Sequence, residues 1–209
     1  MTVQERLHAT YLVPVVVIDD AANAVDTAKA MLAGGVDIME ITLRTAAGLD
    51  AIETVRKHCP DMLVGAGTVL TVTQCEEAIG RGAQFVVSPG LNLDVVACCA
   101  EHGVVALPGC VTPTEIGMAM GAGLSVVKFF PANVYGGISA IKALSGPFPQ
   151  VRFVPTGGVG LSNLSDFVHP AVHAIGGGWL CDRGAIKAGD YGAITAVCRQ
   201  SVEIVKSAR

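Results

Sequence analysis

Short, uninterrupted apolar runs recur along this chain at residues 12–18, 36–42, 63–67, 85–88, 104–107, 126–130, 151–155 and 172–175. Amphipathic stretches lie between them at 21–33, 48–58, 72–81, 93–101, 113–120 and 138–144. A run that is apolar throughout, rather than at every second residue, belongs to a strand covered on both faces. Strand–helix units of this spacing join parallel neighbours through right-handed crossovers. Eight such runs count to a single (β/α)8 barrel domain over residues 1–209. The chain is near the short end for that fold, so its loops must be brief. An open doubly wound sheet is the rival arrangement, but no G-x-G-x-x-G follows the first run to build a dinucleotide crevice.

Composition narrows the function. Hydrophobic residues make up 51% of the chain, enough for a large core, and no linker or low-complexity tract divides it. The formal net charge is −4, with lysines and arginines scattered, so no basic stripe exists for nucleic acid. The run at 12–18 is far shorter than the roughly 20 apolar residues that span a bilayer, and the first residues lack a secretory pattern. No membrane partner is therefore expected, and the cytoplasm is the expected location. Seven cysteines form no C-x-x-C pair and read as small buried residues of a reducing compartment. The five histidines stand in no ligand-like spacing with a carboxylate, so neither a metal nor another cofactor is expected.

Lys128 is the chemical anomaly. It interrupts Val126-Val127-Lys128-Phe129-Phe130, whereas Lys29, Lys57, Lys142, Lys187 and Lys206 lie where solvation is easy. Desolvation disfavours a charged amine and produces the neutral nucleophile that attacks a ketone to form a Schiff base. An edge-strand gatekeeper or a snorkelling lysine is the plainer alternative. Glu40 is the acidic counterpart, a carboxylate in the run Val36-Asp37-Ile38-Met39-Glu40-Ile41. Burial raises a carboxyl pKa toward the range useful in proton transfer, and a nearby lysine acts in the opposite direction. A purely structural ion pair remains open beside that role.

In a barrel the site lies at the carboxyl ends of the strands. Those ends carry Glu40 and Thr42 with Arg44 beyond, then Thr68, Ser88-Pro89-Gly90, Pro108-Gly109, Lys128 with Phe130, Thr156-Gly157-Gly158 and Gly176-Gly177-Gly178. Arg44 offers a guanidinium fork for a carboxylate, beside the Thr68 hydroxyl, unless it is an ordinary loop arginine. The glycines after the seventh and eighth runs stand where barrels cradle phosphate on backbone N–H groups, although glycine pairs alone are weak turn signals. Cys110 falls near the expected mouth and reads as a bystander.

Taken together, Glu40-Ile-Thr-Leu-Arg44-Thr45, Gly65-Ala-Gly-Thr68, Val87-Ser-Pro89-Gly90, Lys128-Phe-Phe130-Pro-Ala, Phe153-Val-Pro-Thr156-Gly157-Gly158 and Ile175-Gly-Gly-Gly178-Trp179 resemble the 2-keto-3-deoxy-6-phosphogluconate aldolase family. The resemblance runs from about Val13 to Tyr191 with the motifs in the family's order. It implies a class I aldolase on a (β/α)8 barrel, usually a cytoplasmic homotrimer, acting on a small keto-acid, with some members also cleaving 2-keto-4-hydroxyglutarate. By position, Lys128 matches the Schiff-base lysine and Glu40 the general acid/base. Arg44, Thr68 and Pro89 match contacts to the pyruvate end, Phe130 the aromatic beside the imine, and Gly157 and Gly158 the phosphate cradle, which Thr156, Gly177 and Gly178 adjoin. Two positions depart from the pattern: Gly178 stands where relatives typically carry serine, and Asn133 where they commonly carry an acid. An aldolase for another 2-keto-4-hydroxy acid such as the galactonate analogue, a barrel that binds a phosphosugar or keto-acid without turnover, and a phosphosugar epimerase or decarboxylase on the same fold are the other readings considered.

Overall fold

A computed structural model describes residues 1–209. Its strands are β1 (Leu12–Val16), β2 (Ile38–Thr42), β3 (Leu63–Gly67), β4 (Phe85–Val87), β5 (Val105–Leu107), β6 (Val126–Phe129), β7 (Arg152–Pro155) and β8 (Ile175–Gly177). Helix α1 (Val3–Thr10) precedes them, and α2 (Ala24–Ala33), α3 (Gly48–His58), α4 (Val72–Gly80), α5 (Leu93–Glu101), α6 (Pro113–Gly121) and α7 (Gly137–Ser145) fill the connections. The chain ends with α8 (Arg183–Ala188) and α9 (Tyr191–Ala208).

Every strand ladder is parallel. Six strands pair in the order β5-β4-β3-β2-β1-β8, and β6 pairs with β7. At the two seams only single parallel bridges occur: Gly109 with Lys128, Phe153 with Val172, and Thr156 with Gly176. Proline explains both interruptions. Pro108 and Pro155 have no N–H to give a neighbouring strand, so the ladder is broken at each of them and only an isolated bridge forms one residue beyond. What passes between the pieces is sparse, for example Lys128 N–H to Pro108 O at 2.9 Å and Cys110 N–H to Lys128 O at 2.8 Å.

Most strand boundaries lie within two residues of the apolar runs. The last is displaced, at Ile175–Gly177 instead of 172–175, because the Val172 N–H closes a turn onto His169 O before the chain reaches β1. Helices α1, α8 and α9 have no counterpart among the amphipathic stretches. The first had a readable start signal: Thr2 and Glu5 form a reciprocal capping box.

Strand parity divides the core. Ile38, Leu63, Phe85, Val87, Leu107, Val126, Val154 and Ala174 pack in one cluster inside the strand layer, joined by Val13 and by Leu7 from α1. The alternate residues, such as Met39, Ile41, Val127 and Phe129, belong to a larger cluster beneath the helices. Because side chains repeat every two residues along a strand, Glu40 and Thr42 share the inner face with Ile38, Lys128 with Val126, and Thr156 with Val154. The inner row is thus apolar toward the strand starts and polar toward their carboxyl ends.

Candidate active site

Lys128 and Glu40 come from strands that are not neighbours, and they meet across the interior. Both are buried, at 6% and 2% exposure, with Lys128 Nζ 3.7 Å from Glu40 Oε1. That separation suits an ion pair but is longer than a hydrogen bond, so Glu40 Oε1 is left without a hydrogen-bond partner. Burial pushes the Glu40 carboxyl above its ordinary range, opposed by the charges of Lys128 and then Arg44. Gly67 makes room for this carboxylate, since a Cβ there would lie 2.2 Å from Glu40 Oε1. On the other side of the amine, Nζ sits 4.9 Å from the centre of the Phe130 ring.

The remaining candidates surround this pair at different depths. Thr156 is buried, half-buried positions are held by Thr68, Pro89, Phe130 and Gly157, and Arg44, Gly158 and Gly178 are exposed on the rim. Thr68 adopts φ +60°, a region unfavourable to a β-branched residue and costing roughly 1–3 kcal/mol, at the point where β3 gives way to its loop. Pro89 is pinned by close packing, because a Cβ on Gly109 would come 2.0 Å from Pro89 O. Gly157 and Gly158 have φ +92° and +77°, and their N–H groups are given to no carbonyl of the chain. Asn133 packs against this turn: its N–H donates to Gly157 O at 3.1 Å, and its side chain fills the space a Cβ on Gly158 would need. Gly177 is buried under the Trp179 ring, whereas a Cβ on Gly178 would meet nothing nearer than Val15 O at 3.8 Å.

Thr42 was visible at a strand end in the sequence but had no assigned role. It is fully buried, one inward step beyond Glu40, and its hydroxyl also lacks a partner. The i, i+2 spacing from Glu40 was the signal that places it there. Cys110 lies beside the Lys128 backbone, where burial pushes its thiol up to about 12 and leaves it inert at neutral pH.

A buried amine and a buried carboxylate, with unpartnered polar atoms around them at the carboxyl ends of parallel strands, define a protein equipped for amine-based chemistry on a carbonyl compound. Residues 3–197 match the family model of KDPG and KHG aldolases, and the chain belongs to that family. It is 48% identical over 206 residues to a 2-dehydro-3-deoxy-phosphogluconate aldolase of Treponema pallidum, the alignment covering 98% of each chain. The KHG/KDPG aldolase of Escherichia coli is 44% identical over 196 residues, 93% of this chain and 92% of that one. Among solved structures, a KDPG aldolase from Legionella pneumophila, with pyruvate captured at low pH as a covalent carbinolamine intermediate, superposes with a TM-score of 0.90. The two are 36% identical over 94% of this chain and 96% of that one.

Proposed function

We propose that this chain is a class I aldolase that cleaves 2-keto-3-deoxy-6-phosphogluconate to pyruvate and glyceraldehyde 3-phosphate. The observation that carries the reading is the Lys128–Glu40 pair, buried yet short of a hydrogen bond, at the carboxyl ends of the strands. Lys128 Nζ attacks the C2 ketone to give a carbinolamine, and Glu40 delivers the proton with which water leaves. The resulting protonated imine accepts the electrons of the C3–C4 bond. As that bond breaks, Glu40 takes the C4 hydroxyl proton through a water and the aldehyde departs. The enamine is protonated at C3, and hydrolysis of the pyruvyl imine frees pyruvate and the amine. Burial suits Glu40 to this shuttle by keeping its carboxyl ready to hold a proton nearer neutral pH.

Arg44, Thr68 and Pro89 are assigned to the pyruvate end, with Arg44 holding the carboxylate so that cleavage is effectively intramolecular. Phe130 flanks the imine. The free N–H groups of Gly157 and Gly158, together with Thr156, Gly177 and Gly178, form the phosphate end. The single domain is read as a closed (β/α)8 barrel, supported by the bridges at both seams. A homotrimer is proposed as well, supported by large apolar residues left exposed in one subunit, among them Leu70, Leu93, Met118, Val134 and Tyr135. No helix is long and apolar enough to cross a membrane, and seven buried unpaired cysteines suit a cytoplasmic setting.

A second activity, cleavage of 4-hydroxy-2-oxoglutarate to pyruvate and glyoxylate, is favoured by Gly178, which brings no hydroxyl to the phosphate end. The test is a steady-state panel of phosphorylated and unphosphorylated 2-keto-4-hydroxy acids. Pyruvate release is expected from both classes, faster from the phosphorylated one. Release from neither would overturn the aldolase reading and favour a binding module.

A further inference from the structure

At the opposite end of the strands lies a cavity of about 400 Å³ whose lining includes His8, Tyr11, Arg152, His169 and Arg209. Its polar side chains are two histidines, two arginines and one tyrosine, with no aspartate or glutamate among them. One side is a tightly bonded frame. The Tyr11 hydroxyl donates toward His169 O and Val172 O and accepts the His169 N–H, each at 3.3 Å. His8 Nδ1–H donates to His173 O at 2.9 Å, which leaves His8 Nε2 to accept from Arg209 Nη2 at 3.3 Å. The Arg209 guanidinium also covers the Tyr11 ring, 4.4 Å from its centre.

The other side carries donors without acceptors. Arg152 spends one N–H on Pro149 O at 3.0 Å, and a guanidinium has five. His169 accepts the Ala171 N–H on Nδ1 at 3.1 Å, so its ring proton resides on Nε2, which has no partner. Arg209 uses its two terminal nitrogens on Ala9 O, His8 O and His8 Nε2, and its Nε–H remains. These donors come from the first residue of β7, from the segment between β7 and β8, and from the end of α9. Donors that arrive from three separate segments suit a tetrahedral oxyanion, whose oxygens point in several directions.

We propose that this cavity binds a phosphate group, either inorganic phosphate or a small phosphate monoester, at a site remote from Lys128. Occupancy ties the β7–β8 seam to the C-terminal helix and to the segment entering β1. Its effect is therefore on stability and assembly of the strand set, with turnover untouched. The probe is inorganic phosphate, titrated at constant ionic strength against the wild-type chain, Arg152→Gln and His169→Gln, with stoichiometry by calorimetry and unfolding midpoints in parallel. Both substitutions replace side chains whose loss breaks at most one internal hydrogen bond, and pyruvate-dependent borohydride labelling verifies that each variant is folded. The wild-type chain should bind one more phosphate than Arg152→Gln, or bind it about tenfold or more tightly, as loss of a charge-assisted fork implies. Its phosphate-dependent rise in unfolding midpoint should shrink in both variants. Equal stoichiometry and equal midpoint shifts in all three would place the phosphate at the strand carboxyl ends and overturn the proposal, as would no binding by any of them.

Discussion

Two ion pairs stand at opposite ends of the same strand layer, and they are built differently. At the strand starts, Arg6 Nε meets Asp37 Oδ2 at 2.6 Å and Nη2 reaches Asp37 O at 3.2 Å, while Arg6 also donates to Asp61 O and Thr10 to the second Asp37 oxygen. Charges and lone pairs are matched, in a place half open to water. At the carboxyl ends, Lys128 and Glu40 are far more deeply buried, stand 3.7 Å apart, and leave Glu40 Oε1 and Thr42 Oγ1 without partners. A chain selected for stability alone would satisfy the deeper pair first, because an unpaired buried polar group costs about 1–3 kcal/mol. The reversed order is what a substrate-receiving site requires: groups held apart, desolvated, and still able to bond something else.

Turnover left intact by Glu40→Gln would remove the difference between the two pairs. The expected loss in kcat is about 10²–10⁴-fold, the usual contribution of a positioned acid/base. The same variant reports on stability. Burial raises the Glu40 pKa in the folded state, so the native chain holds that proton to higher pH than the unfolded chain does. This group's stabilisation is complete below the ordinary carboxylate range and is lost as pH rises through the raised value. Wild-type stability relative to Glu40→Gln should therefore decline from acid toward neutral pH in denaturant titrations, and an opposite slope would mean that Lys128 governs the carboxyl.

The second effect belongs to the other pair. Asp37→Asn should cost about 1 kcal/mol after allowance for its exposure, lowering the unfolding midpoint by roughly 2–4 °C with kcat unchanged. A fall in kcat without a fall in stability would erase the distinction between the two ends. The effect confined to a single substrate class is expected from Gly178→Ser, which the geometry admits because only Val15 O lies near the added atom, at 3.8 Å. One hydroxyl facing a phosphate should lower KM for the phosphorylated substrate by about tenfold and leave the unphosphorylated one nearly unchanged. Equal changes in both would show that position 178 does not face the phosphate.

Much of this was legible in the residues because burial and parity leave marks on sequence. Strands covered on both faces read as unbroken apolar runs, so a lysine at 128 and a glutamate at 40 stood out, and the carboxyl-end rule placed them together. What escaped depended on geometry between distant segments. Nothing local to β5 or β7 says that Pro108 and Pro155 reduce the seams to single bridges, since the missing donors matter only once neighbours are assigned. The strained φ of Thr68 and the role of Gly67 in leaving space for Glu40 are likewise visible only when the strands are aligned. Thr42 shows the intermediate case: its parity with Glu40 was readable, but its lack of a partner was not.

Covalent trapping decides whether the loosely held pair is chemical and the tightly held pair structural. Incubation with pyruvate and borohydride should add one reduced pyruvyl group per chain, mapped by mass spectrometry to the peptide containing Lys128 and to none of the other five lysines. Label on a different lysine, or no label under conditions where pyruvate is bound, would contradict the account and return Lys128 and Glu40 to the status of a buried ion pair.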